Sequence, residues 1–240
     1  MPLRSDGRVM NVCVLGNSQA ACVKGAWDIK KNRPRQYRLT FFAAFGLSLG
    51  NLEVDGDRLV PSNEALRQHM LYTAGVDEVV GSAYDAFLIC GAGLGLRPID
   101  ARVSHQLLEA LSADLVRASL AYSLAAKVRQ ITDADIYIMH SPLLDERTAG
   151  RARFNIVPYE DYFPLMERAL DIPGAQLLRQ PEQTITLGHY TKLEFSKDAV
   201  RLAVSRKSEG IQHKAEDNNH MNVDYGAVRL KDFFERLPGA

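Results

Sequence analysis

Three residues near the two ends of the chain have the types and spacing for acyl transfer. Ser18 follows the run Val12-Cys13-Val14-Leu15-Gly16-Asn17, and Asp217-Asn218-Asn219-His220 lies about 200 positions later. A serine hydroxyl is a weak nucleophile until a neighbouring base takes its proton. An imidazole does this best when a carboxylate fixes its tautomer and stabilises the imidazolium. Asp and His three apart in a loop can face one pocket. Each block alone has a plainer reading: a Ser before a helix as its N-cap, and Asp-Asn-Asn as a turn.

Bringing these ends together requires particular elements. The Val/Leu-rich run reads as a buried strand, Gly16-Asn17-Ser18 as a tight turn, and the Ala-rich segment through Trp27 as a helix. Ser18 then sits at the carboxyl end of a strand, beside free helix N–H groups that can stabilise negative charge. Further buried strands are expected at Arg38–Phe45, Asp85–Cys90, Asp135–His140 and Ala175–Leu178. Asp55-Gly56 predicts a hairpin near 51–60, and residues 62–75 read equally as helix or strand. A helical pattern over Ser104 to Ile131, broken once, has an apolar face of Leu107, Leu108, Leu111, Leu115, Leu120, Leu124 and Val128. Helices are also expected from Tyr159 to Asp171 and from Met221 to Leu237. Residues 182–214 give mixed signals and are expected to form an insertion or lid.

Strands alternating with helices predict an α/β fold: a doubly wound, mostly parallel sheet of about five strands with helices on both faces. One domain spanning 1–240 is expected, since no repeat or interdomain linker interrupts the pattern. The chain is 46% apolar and 24% charged, with 29 basic and 29 acidic residues. That balance gives no general electrostatic case for a nucleic-acid partner. No apolar run is long enough to span a membrane, and the first ten residues lack a secretory apolar region, so no membrane partner and a cytoplasmic location are expected. Cys13, Cys22 and Cys90 read as buried free thiols.

Residue by residue, the chain resembles the SGNH/GDSL hydrolases. A Gly-Asp-Ser block after the first strand and a D-x-x-H block near the C-terminus mark that family. Gly16-Asn17-Ser18 and Asp217-Asn218-Asn219-His220 occupy the corresponding places. The Gln19–Trp27 helix and the continuation Met221-Asn222-Val223-Asp224-Tyr225-Gly226 are also similar to bacterial members. The resemblance implies a flavodoxin-like SGNH fold, with Ser18, His220 and Asp217 as catalytic triad. It further implies an oxyanion site formed by the N–H of Ser18, a second-block glycine near Gly46 or Gly50, with Gly46 preferred, and a third-block residue at Gly93.

Two positions depart from that pattern. Asn17 replaces the usual Asp, and Gly91-Ala92-Gly93 stands where the family has G-x-N, so Gly93 offers a backbone N–H but no amide. Asn17 and Asn218 are the candidates to replace that amide. The implied activity is a serine esterase or deacylase acting on a small acyl ester, carried by a carbohydrate or similar alcohol, without a cofactor. The alternative is a non-catalytic module of the same fold that binds an anionic glycan or nucleotide at the Ser18 turn.

Three further signals carry less. His189, His213 and His220 with Asp217 have no recognised metal-ligand spacing, and no metal site is expected. The basic stretch from Lys24 to Arg38 reads as a solvated surface loop rather than an anion site. Gly91-Ala92-Gly93-Leu94-Gly95 lacks the acidic residue about 20 positions on that a dinucleotide-binding loop requires.

Overall fold

A computed structural model describes residues 8–29, 31, 33–151 and 155–238. Its centre is a parallel sheet of β1 (Met10–Gly16), β2 (Tyr37–Ala43), β6 (Ala86–Cys90), β7 (Asp135–Met139) and β8 (Ala175–Leu178). The strands lie in the order β2-β1-β6-β7-β8, and every neighbouring pair is parallel. Counted among core strands this is 2-1-3-4-5, the flavodoxin-like doubly wound order, whose ligands bind at the carboxyl ends of the strands.

Alternation along β1 shows why both faces must be covered. Val12 and Val14 join one apolar cluster, while Cys13 and Leu15 join the other. All four are fully buried, as parallel strands clothed on both sides require. On the first face lie α1 (Ala20–Asp28) and α6 (Val223–Arg236). The second is covered by α3 (His105–Arg117), α4 (Leu120–Ile131) and α5 (Tyr159–Ala169), with α2 (Glu64–Ala74) beside β2. A Cβ on Gly226 would lie 2.0 Å from the Cys22 carbonyl oxygen. Only a glycine lets α6 approach α1 so closely, and this contact joins the two chain ends that carry the site.

The hairpin forms as expected from β3 (Leu52–Asp55) and β4 (Arg58–Pro61), with β5 (Val79–Val80) as a third antiparallel strand. The ambiguous segment resolves as α2. Asn63 caps its start by accepting from the Leu66 N–H at 3.0 Å, and left-handed Gly75 ends it. The single break in the 104–131 pattern falls at Ser119, whose hydroxyl caps α4. One expectation for that pattern fails: Leu107 and Leu111 are exposed, because the first helix turns Leu108, Ser112 and Val116 to the core instead.

Residues 182–214 contain a two-strand hairpin, β9 (Ile185–Thr186) with β10 (Tyr190–Thr191), and an antiparallel bridge joining Val200 to Gln212. Leu202 and Val204 pack on Ala43 at the end of β2. This segment is thereby fastened across the carboxyl edge of the sheet. Of the basic connection, Lys30 and Asn32 lie outside the described residues, as do residues 1–7 of the N-terminus. No helix among the described residues is long and apolar enough to cross a membrane, and the three cysteines are free and buried.

Candidate active site

Ser18 is held by the turn between β1 and α1. The Ala20 N–H donates to the Asn17 carbonyl at 2.9 Å, and the Ala21 N–H to the Ser18 carbonyl at 3.2 Å. A Cβ on Gly16 would lie 2.4 Å from the Ala20 Cβ, so the strand can reverse this sharply into the helix only with glycine there. The N-cap position falls on Gln19, which makes no side-chain cap bond. The Ser18 hydroxyl is therefore not spent on capping.

It meets His220 instead. The Ser18 Oγ lies 3.0 Å from His220 Nε2, across 202 positions of sequence. On the far side of the ring, Nδ1 is 2.9 Å from Asp217 Oδ2 and 3.1 Å from Oδ1. Asp217 Oδ1 also accepts from the N–H groups of Asn219 at 3.0 Å and His220 at 2.9 Å. An Nδ1–H donated to the carboxylate leaves the Nε2 lone pair facing the serine, the tautomer a general base needs. Burial alone would raise the Asp217 carboxyl, but the two backbone N–H groups and the His220 ring outweigh it and hold it below its ordinary value.

The loop carrying Asp217 is tied down from three directions. Arg147 reaches the carbonyls of Ala215 and Asp217 while its guanidinium pairs with the fully buried Asp145. The Asp145 N–H donates to the Asn218 carbonyl at 3.0 Å. After His220, Asn222 caps α6 by accepting from the N–H groups of Asp224 and Tyr225. Nothing in the sequence marks Arg147 or Asp145 as part of a site.

A second imidazole shares the carboxylate. His213 Nδ1 lies 3.1 Å from Asp217 Oδ2, and its ring stacks on that of His220 with centroids 3.8 Å apart and planes 12° from parallel. The His213 N–H donates to the Ala199 carbonyl at 2.8 Å, which fixes it to the 182–214 segment. Burial, then the nearby His220, lowers the His213 pKa, so a neutral ring donating to Asp217 is the favoured form. His213, Asp217 and His220 are close enough together to hold a metal ion. Here both Nδ1 atoms lie at hydrogen-bond distance from the one oxygen Asp217 Oδ2, so the carboxylate serves as their shared acceptor. His189 takes no part: it is buried elsewhere, with neither ring nitrogen bonded.

A cavity of about 770 Å³ opens over Ser18 and His220, a volume ordinary for a small-molecule site. Gly93, Asn17, Asn218 and Asn219 line it. The N–H groups of Ser18 and Gly93 donate to no acceptor among the described residues. Gly46 lies in the exposed turn after β2, at the same edge of the sheet, but does not line this cavity. Asn17 Oδ1 accepts from the Gln19 N–H at 3.1 Å, leaving its amide Nδ2 as the unpaired end of a side chain that is only 8% exposed. None of the described residues from Lys24 to Arg38 lines the cavity, and Lys24 and Arg33 are turned to Asp28.

No protein-family model matches the chain, and neither does any curated protein or solved structure.

Proposed function

We propose that the protein is a serine esterase or deacylase of SGNH type. The observation that carries this reading is the continuous line from Ser18 Oγ through His220 to Asp217, with bonds of 3.0 and 2.9 Å. In this mechanism His220 takes the Ser18 proton as the oxygen attacks an ester carbonyl. The Ser18 and Gly93 N–H groups and the Asn17 amide receive the oxyanion. His220 then protonates the departing alcohol, and a water activated by the same ring clears the acyl-enzyme. Asp217 holds the ring and stays ionised throughout.

The second reading is a non-catalytic binding module, and Gly93 in place of an amide-bearing residue favours it. Hydrolysis of short-chain p-nitrophenyl esters separates the two. Turnover abolished by both Ser18→Ala and His220→Ala supports the enzyme. A folded wild type without turnover on any acyl length supports the module.

A further inference from the structure

The charges around the cavity point to one kind of substrate. Among the described residues no aspartate or glutamate lines it, and the permanent charges are those of Arg97 and Arg151. Both side chains are exposed, and neither makes an ion pair or hydrogen bond with any described residue. Elsewhere Arg58, Arg67, Arg102, Arg117, Arg168 and Arg179 each meet a carboxylate. The whole chain is neutral in net charge, so this positive field is local to the cavity.

Guanidinium groups match the planar oxygens of carboxylates and phosphates, where a neutral alcohol would leave them unanswered.

We propose that the alcohol half of the substrate is anionic, bearing a phosphate or carboxylate. Arg97 and Arg151 bind its charge while its ester carbonyl lies against Ser18. The inference rests on the serine-hydrolase reading and adds the substrate class to it.

The test compares kcat/KM for mono-O-acetylglucose, mono-O-acetylglucuronate and mono-O-acetylglucose-6-phosphate. At least one charged ester should be preferred over the neutral one by ~10-fold or more, as charge-assisted bonds allow. The preference should shrink with added salt and collapse in the Arg97→Gln/Arg151→Gln double variant, with folding checked by circular dichroism. Equal rates for all three esters, or a preference that survives in the double variant, would overturn the proposal. If no ester is hydrolysed, the hydrolase reading fails, and calorimetry with glucose, glucuronate and glucose-6-phosphate decides the anion site separately. Binding of a charged sugar alone, lost in the double variant, supports that site. Absence of such binding removes it.

Discussion

The imidazole of His213 lies flat against that of His220, 3.8 Å between centroids, and both rings donate to the same Asp217 carboxylate. While His213 is neutral, it helps fix the carboxylate and, in the proposed mechanism, offers a polarisable face to the imidazolium that would form as Ser18 attacks. Once protonated, it sets a second positive charge against that imidazolium. Asp217 offsets this charge, and Arg201 adds to it.

The first prediction follows from that stack. On the acid side, log(kcat/KM) against pH should fall more steeply than one proton, because His213 and His220 each switch the site off when charged. His213→Phe keeps the stacked ring and removes the proton, so its acid limb should return to a slope of one. An unchanged slope in His213→Phe would show that His213 has no electrostatic influence on the base.

A second prediction concerns the oxyanion. Asn17→Ala should lower kcat by ~10²–10³ with little change in KM, because its bond strengthens only in the transition state. Truncation of Asn218, which lines the same cavity, to Ala should have the smaller effect. Steady-state kinetics on one acetyl ester checks both. If kcat reaches the ordinary ~1–10³ s⁻¹ and neither truncation changes it, the Asn17 amide is not the missing donor.

Arg147 should act through the loop. Arg147→Ala frees the Ala215 and Asp217 carbonyls and strips the buried Asp145 of its guanidinium. The expected loss is in kcat, ~10-fold or more, since small misplacements of a base are costly. Arg147→Lys should recover only part of it, as one ammonium cannot reproduce the fork. Full recovery would mean that charge alone matters there.

Histidine burial sets a stability effect separate from catalysis. His140 is enclosed beneath the sheet edge. Its Nδ1–H donates to the Ser141 carbonyl at 2.6 Å, and the Tyr159 hydroxyl donates to Nε2 at 2.8 Å. Burial, with Arg229 nearby, pushes its pKa down to about 3. The unfolded chain binds this proton near pH 6.5 and the folded one does not. Stability is therefore complete above that pH and declines as pH falls toward 3. From pH 7 to 5 this one group should cost ~2 kcal/mol. Urea unfolding of wild type and His140→Gln at both values checks it, the variant losing about that much less over the interval.

Much of this site was legible in the sequence because its parts are local. A Val/Leu run ending in Gly-Asn-Ser specifies strand, turn and the placing of Ser18 in seven residues, and Asp217-Asn218-Asn219-His220 is a self-contained turn whose carboxylate caps its own backbone. The β-α alternation likewise gave the sheet, since period and punctuation are short-range signals. The hydrogen-bonding part that His213 plays beside Asp217, and that of Arg147, were not legible. Each reaches the site through a tertiary contact, and each stands in a segment whose own pattern is irregular. Gly46 shows the converse: a strand end placed it at the correct edge of the sheet, but the turn that follows carries it away from the cavity wall.

The central claim is that Ser18 is activated by His220, and a fluorophosphonate probe measures that activation directly. Intact-mass and peptide analysis should find one adduct on Ser18 in the wild type, none in Ser18→Ala, and greatly slowed labelling in His220→Ala and in Asp217→Ala. The Ser18→Ala/His220→Ala double variant should lose little more turnover than either single change. A folded wild type that takes no label, or labelling that persists in Ser18→Ala, would contradict the account.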